Sequence, residues 1–149
     1  MLYEKNLIEN CVYNIEYFLG KAASPTATRY MSNIVMRDNI LRFAGYGWGA
    51  QRPDKGPDAH IKGWDHQNIL RGEMLIENNI MQCSKHMMIH TGVEQKAHLA
   101  TLRGNTFIQH EGGYFGRFMQ NPTTNEPYTA EVLEREEFAG NQFYVLSRD

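Results

Sequence analysis

The sequence predicts an α+β fold in which amphipathic helices come first and a small antiparallel β-sheet comes last. Two observations predict it. Before residue 104, apolar residues recur every three or four positions over most of the chain, which is the period of a helix packed on one face. After residue 104, apolar and polar residues alternate, which is the period of a strand. Helices and strands segregated in this way are typical of α+β proteins.

Four N-terminal helices are predicted, each with residues that can begin or end it. Serine followed by proline at positions 24 and 25 is one such start, because the hydroxyl caps the first turn and proline fits the first helical position. The predicted helices cover residues 2–19, 25–43, 65–90 and 93–102. We expect their inner faces and the last strand to bury Ile8, Val12, Ile15, Ile34, Ile80 and Val145.

The predicted sheet lies in the C-terminal third of the chain. Strands at residues 106–110 and 114–119 flank a glycine-rich turn at 111–113, which predicts a β-hairpin. A polar loop is predicted at residues 121–127 and a terminal strand at 142–147, whereas residues 130–138 fit a helix or a strand equally well.

The length of 149 residues is that of one domain, and no internal repeat or linker is evident. We therefore predict a single domain that is interrupted by a long loop at residues 45–64. This loop contains five glycines, two prolines and both tryptophans, so no regular element is expected in it.

The composition matches an ordinary globular protein, with 42% apolar residues, 21% charged residues and a formal net charge of −2. This charge gives no indication of nucleic-acid binding, and no apolar run is long enough to cross a membrane. The N-terminus lacks the pattern of a signal peptide. Cys11 and Cys83 lack metal or redox spacing and are expected to be free thiols. We expect a protein that is intracellular, either cytoplasmic or within a virion.

Histidines give a weak candidate for a metal site. His86 and His90 are four residues apart, which would place both rings on one face of the predicted third helix. Residues 91–92 interrupt the helix directly afterwards, and there is no HExxH motif. We predict no metal and no cofactor.

Acid and base groups cluster near the end of the 45–64 loop. His60, Asp65 and His66 are the weak catalytic candidates there, because histidine titrates near neutral pH. No serine or threonine nearby follows a nucleophile motif, so the chain is interpreted as a non-enzyme in the first instance.

The same loop is the best candidate for a binding surface. Its glycines allow close approach of a partner, while aromatic rings and cationic groups are typical of interface hot spots. The residues predicted to bind are Tyr46, Trp48, Arg52, Lys55 and Trp64.

These features favour a non-enzymatic structural or interaction subunit of a larger assembly, such as a virion component or an accessory subunit. We expect a protein partner or a homo-oligomer, because long loops without secondary structure are uncommon unless they bind something. The alternative is a small enzyme or ligand-binding protein whose site lies under the 45–64 loop and uses His60 and His66 as acid-base groups.

Overall fold

The computed structural model describes residues 1–19, 29–31, 33–53, 58–65, 69–71, 74–91, 101–116 and 138–147. These residues form short β-strands joined by turns, and no α-helix occurs among them. The strands are β1 (Leu2–Glu4), β2 (Leu7–Glu9), β3 (Tyr13–Leu19), β4 (Arg29–Met31), β5 (Ile34–Arg37), β6 (Ile40–Ala44), β7 (Ala59–Asp65), β8 (Ile69–Arg71), β9 (Met74–Glu77), β10 (Ile80–Ser84), β11 (Met87–Thr91), β12 (Thr101–Arg103), β13 (Thr106–His110), β14 (Tyr114–Gly116) and β15 (Gln142–Leu146).

The strands form three principal sheets, and every strand pair in the described residues is parallel. Sheet A has the order β1-β5-β9-β12, sheet B the order β2-β6-β10-β13-β15 and sheet C the order β3-β7-β11-β14. The chain thus visits the three sheets in turn and comes back one strand further along each of them. This is a parallel β-helix, a solenoid in which each coil stacks on the preceding one. The coils begin with β1, β5, β9 and β12, while β15 belongs to a fifth coil.

The predicted α+β fold is therefore wrong. Strands β1 to β3 replace the first predicted helix, β4 to β6 occupy the described part of the second, and β8 to β11 occupy that of the third. Of the fourth, only residues 101–102 are described, and they lie in β12. The predicted 45–64 loop also contains a regular element, because β7 begins at Ala59.

The C-terminal prediction is only partly right. Strands form at 106–110 and 114–116, but they do not pair with each other as a hairpin. The first pairs with β10 and β15, and the second pairs with β11, so the glycine-rich turn connects two different sheets. The terminal strand is present, in parallel rather than antiparallel pairing. The loop at 121–127 and the ambiguous segment 130–137 lie outside the described residues.

The core lies inside the coils and consists of columns of side chains at matching positions of the stacked strands. In sheet B one such column is formed by Ile8, Leu41, Met81 and Phe107, which are register partners along β2, β6, β10 and β13. The last three are fully buried, and the Phe143 ring of the fifth coil stacks on Phe107 at 5.1 Å. Of the predicted core residues, Ile15 and Ile34 are buried and Ile8 packs against the core, whereas Val12 is half-buried and Ile80 and Val145 are exposed.

Each turn from sheet A to sheet B contains an asparagine that belongs to a continuous ladder. In each coil after the first, its Oδ1 accepts hydrogen bonds of 2.9–3.1 Å from the backbone N–H and the Nδ2 of the asparagine one coil earlier. Its own Nδ2 donates to a backbone carbonyl of that earlier coil. The ladder satisfies polar groups that the stacked turns bury. We call these turns the ladder corner; its asparagines are Asn6, Asn39, Asn79, Asn105 and Asn141.

The residue before each ladder asparagine has a positive φ, between 53° and 72°. This left-handed conformation reverses the chain direction in two residues, and it suits glycine, asparagine and aspartate best. Four of the five positions hold one of these residue types, and all five are Lys5, Asp38, Asn78, Gly104 and Gly140.

A column of alternating charge runs along the outside of sheet A. Register partners Glu4, Arg37, Glu77 and Arg103 come from four successive coils. The first two are 2.8 Å apart and the last two 3.1 Å apart. The hydrogen bond that Arg37 donates to the Glu4 carboxylate raises the pKa of Arg37, with further contributions from neighbouring carboxylates. Opposite charges at adjacent positions thus support the parallel register on the solvent side.

Candidate functional site at the variable corner

The turns from sheet B to sheet C differ from coil to coil, and we call them the variable corner. They cover residues 10–12, 45–58, 85–86 and 111–113 in the first four coils. Because the coils stack, these turns lie side by side on one edge of the solenoid. Side chains that are distant in sequence are therefore brought together there.

A buried carboxylate holds a half-exposed histidine at this corner. The Nδ1 atom of His86 lies 2.7 Å from Oδ2 of Asp58, whose side chain is only 1% exposed, against 53% for His86. The Asp58 carboxyl packs against Gly45, where an added Cβ would approach it to 2.7 Å. With Nδ1–H donated to Asp58, the imidazole keeps Nε2 without a hydrogen-bond partner in the described part of the chain. A carboxylate that fixes one ring nitrogen and leaves the other available is the arrangement found in acid-base and ligand-binding histidines.

A cleft of about 470 Å³ lies at the same corner, among the turns of the second, third and fourth coils. Its lining is mostly polar, with one aromatic ring from Tyr46, the ammonium of Lys85 from one turn and the imidazole of His110 from the end of β13. The ammonium of Lys85 lies 5.1 Å from the centre of the Tyr46 ring, within the range of a cation–π contact. The lining residues are Tyr46, Ser84, Lys85, His110, Glu111, Gly112 and Gly113.

Residues 45–53 of the second coil form an aromatic loop beside this cleft. Its backbone makes a short 3-10 turn at Trp48–Gln51, with Ala50 N–H donating to the Gly47 carbonyl at 2.9 Å. The indole of Trp48 is 85% exposed, and the Tyr46 ring is 46% exposed and meets Phe43 edge to face. Two aromatic side chains of this loop are therefore available to a partner.

His60, a predicted catalytic candidate, lies in the core rather than at the surface. It is fully buried, and its Nδ1 donates to Oδ1 of Asn14 at 2.7 Å, since the Asn14 amide donates elsewhere. Its Nε2 faces the backbone of Gln82 without reaching hydrogen-bond geometry to any described residue. Burial lowers the pKa of His60 to about 3, because the charged ring is poorly solvated there. The ring is neutral at pH 7, which gives no support for acid-base work by His60 on a solvent-borne ligand.

The two metal candidates are separated. His86 is half-exposed in the turn, whereas His90 is buried within β11. Four residues along an extended chain span about 13 Å, too far for two rings to share one ion. Among the described residues, no group of three or more histidine, cysteine, aspartate or glutamate side chains is placed to hold a metal.

The structure describes only some of the remaining predicted site residues. Arg52 is exposed at the end of the aromatic loop. Trp64 and Asp65 lie in β7, where the structure describes the backbone and not the side chains. Lys55 and His66 lie outside the described residues.

The site also contains residues that the sequence interpretation did not select. Lys85 and Glu111 come from two turns, and His110 ends β13; the sequence interpretation treated these segments as a helix end and a hairpin. The available signal was the polar interruption at residues 84–86 between two apolar runs, which marks a turn between strands.

Comparison of the chain with protein-family models, with curated proteins and with solved structures finds no match. Within the described residues, there is also no helix of the length and apolarity needed to span a membrane.

Proposed function

We propose that the protein is a structural or interaction subunit of a larger protein assembly and that it binds its partner through the aromatic loop. The observation that carries this proposal is the 85% exposure of Trp48 on a loop whose backbone is held in place. Water disfavours a large exposed indole, and tryptophan is the residue most enriched in interface hot spots.

The loop is held by close backbone packing on the turn of the first coil. A Cβ added to Gly47 would lie 2.3 Å from the backbone oxygen of Asn10, and one added to Gly49 would lie 3.1 Å from Val12. Glycine is thus required at residue 47 for the two turns to touch. A loop that is ordered before binding loses little conformational entropy on binding, which favours affinity.

Charged and aromatic groups beside Tyr46, which belongs to the same loop as Trp48, support a protein partner. Lys85 lies over one side of the Tyr46 ring, and the guanidinium of Arg42 lies 5.6 Å from the Phe43 ring. Aromatic side chains and arginine are the residue types enriched in protein interfaces and their hot spots. We further propose that the assembly is intracellular, in the cytoplasm or in a virion, which agrees with a free and buried Cys83 thiol.

The test is a pull-down from an extract of the native host with three forms of the full chain, read by quantitative mass spectrometry. The Trp48→Ala/Arg52→Ala variant should lose the captured partner by more than about tenfold, because it removes the hot spot. Its free energy of unfolding should change by less than about 1 kcal/mol, since both side chains are exposed.

Tyr144→Ala is the matched control, because Tyr144 is an aromatic residue that is 50% exposed on β15, away from the loop. It should capture the partner as the unchanged chain does. Equal capture of the partner by all three forms would contradict the proposed function. So would an unchanged chain that is monomeric and captures the same proteins as the Trp48→Ala/Arg52→Ala variant.

A further inference from the structure

We propose that the protein stacks head to tail on further copies of itself, with β15 of one copy pairing with β2 of the next. The partner at this surface is a second copy of the same chain, and the contact is separate from the one proposed for Trp48. It rests on hydrogen-bonding groups at the two ends of sheet B, which are complementary to each other.

Sheet B has an open edge at each end. In the described part of the chain, no strand pairs with the outer edge of β15 or with that of β2. All five residues of β15 are exposed, and it contains neither a charged residue nor a proline. Its large apolar residues are 40% to 60% exposed, and they are Phe143, Tyr144, Val145 and Leu146. Natural edge strands are usually protected by charges or proline, and an apolar edge without them is a template for another chain.

The asparagine ladder ends in complementary groups. Inside the ladder, the backbone N–H of each asparagine donates to Oδ1 of the asparagine one coil later. No described coil precedes Asn6, so its Oδ1 has no donor among the described residues. None follows Asn141, so its N–H has no acceptor among them. One end of the solenoid thus offers an acceptor and the other a donor, at the same position of the repeat.

The side-chain amides of the two end asparagines do not compete for these groups. Nδ2 of Asn6 donates to the Glu4 carbonyl at 3.0 Å, and Nδ2 of Asn141 donates to the Phe138 carbonyl at 2.6 Å. In Asn39 the Nδ2 atom bonds only to the coils before and after it. The amides at the ends are therefore partly satisfied within their own turn. Stacking engages the Asn6 Oδ1 and the Asn141 N–H without breaking a bond of the ladder.

A second pair of groups matches in the opposite direction. In each later coil, the N–H of the first residue in the sheet B strand donates to the carbonyl of the ladder asparagine one coil earlier, at 2.8–2.9 Å. Leu7 is the equivalent residue of the first coil, and it is 60% exposed. In a head-to-tail stack its N–H donates to the Asn141 carbonyl of the preceding copy, while the Asn141 N–H donates to Asn6. The partial charges of the two ends are thus complementary at two adjacent points.

This complementarity favours a head-to-tail contact over a two-fold one. Pairing of two β15 strands about a two-fold axis would be antiparallel and would bring together two Asn141 donors and no acceptor from Asn6. All described pairs of sheet B are parallel, and continuing their register places Phe143 beside Ile8 of the next copy. The apolar column that ends with Phe143 stacked on Phe107 then continues. A head-to-tail contact leaves an open end on each copy, so it produces chains of copies.

The experiment is sedimentation velocity of the full chain over a range of concentrations, with one proline variant for each edge. In parallel pairing, alternate residues bond to the same neighbour, and Gln142 and Leu146 bond towards β13. The Val145 N–H therefore points to the outer edge, and Val145→Pro removes a donor that the fold does not use. Leu7→Pro changes the first residue of β2, a position that tolerates proline.

The unchanged chain should form a series of oligomers that lengthens with concentration. Each proline variant alone should be monomeric, with a self-association constant lower by more than about tenfold. An equal mixture of the two variants should form a dimer and nothing larger, because it contains one intact edge of each kind. Urea denaturation of each variant should show the cooperative transition of the unchanged chain. Leu7→Lys and Val145→Lys keep both N–H groups, place a cation at the same edges and should give the same results.

The Trp48→Ala/Arg52→Ala variant separates this contact from the proposed function, and it should associate as the unchanged chain does. An unchanged chain that is monomeric at every concentration would overturn the proposal. So would a dimer that persists in the Leu7 variants, which indicates a two-fold contact, or a mixture of the two edge variants that stays monomeric. A loss of association in the Trp48→Ala/Arg52→Ala variant would assign self-association to the aromatic loop and overturn it as well.

Discussion

The two corners of the solenoid are built on opposite principles. At the ladder corner, the turns of the first four coils each have two residues, a left-handed residue followed by asparagine, and the fifth ends in the same pair. At the variable corner, the turns differ in length and share no common residue: fourteen residues separate β6 from β7, against three or two in the other coils. The first corner repeats because it must satisfy the same buried groups in every coil. The second carries the cleft, the paired Asp58 and His86, and the exposed Trp48.

The difference between the two corners indicates where functional residues are expected in a fold of stacked coils. A position that repeats in each coil is explained by the neighbours above and below it, as the ladder asparagines are. A position that departs from the repeat has no such explanation in the fold. Loops that a rigid scaffold positions are the usual place for binding residues. The candidate sites of this protein accordingly lie at the variable corner, where the turns differ from coil to coil.

Among single substitutions, the largest effect is expected from removing one member of the ladder. Asn79→Ala should lower the free energy of unfolding by about 3 to 5 kcal/mol, because the buried Asn39 N–H and the Met36 carbonyl lose their partner. Asn78→Gly, one residue earlier, should change it by less than about 1 kcal/mol, since glycine occupies the equivalent left-handed position in the fourth coil. Urea denaturation of the two variants measures both. Similar losses in the two variants would mean that the ladder does not stabilise this corner.

A smaller effect is expected from the polar pair behind the variable corner, His60 and Asn14. The pKa of His60 is about 3 when folded, below its ordinary value of 6.5, so between these values the unfolded chain binds the extra proton. The stability from the neutral ring is complete above about pH 6.5 and is lost as the pH falls. Between pH 7 and pH 5 the free energy of unfolding should decrease by about 2 kcal/mol from this group.

His60→Gln separates this contribution from those of other groups. The variant keeps a donor for Asn14 and has no proton to gain, so its stability should depend less steeply on pH over the same interval. The measurement is thermal unfolding of both proteins at pH 7, 6 and 5. Parallel pH profiles would show that His60 is not a buried neutral ring.

The sequence interpretation did not predict these strands, because this solenoid reverses the expected burial pattern at each ladder turn. Asn79 is 1% exposed and Ile80 is 40% exposed, so the polar residue faces the core and the apolar one faces water. Met81 then points inward again and is fully buried. Within strands of three to five residues such reversals destroy a period of two and leave a spacing of three or four. Helices were predicted from that spacing.

The repeat was present in the sequence but had no constant period. Successive ladder asparagines are separated by 33, 40, 26 and 36 residues, because the turns elsewhere differ in length. A search for a fixed period misses such a series. The local signature was an apolar residue, two polar or glycine residues, asparagine and then a residue pair ending in an apolar side chain, as in residues 36–41 and 76–81.

Only those features of the candidate site that depend on local composition were predictable from the sequence. Exposed aromatic residues in a glycine-rich segment were expected at Tyr46 and Trp48, and both are exposed. The pairing of Asp58 with His86 joins two adjacent coils across 28 residues. Such a contact depends on the stacking of the coils, which the sequence interpretation did not predict.

The most direct test of the contrast between the corners inserts the same three residues, Gly-Ser-Gly, at two places in the second coil. Between Arg52 and Pro53, both exposed, the insertion should lower the free energy of unfolding by less than about 1 kcal/mol, because a longer surface loop costs little entropy. Between Asp38 and Asn39 it should cost at least about 4 kcal/mol or prevent folding, because it displaces a ladder asparagine and the strand that follows. Equal losses of stability at the two places would contradict the division into a structural corner and a variable one.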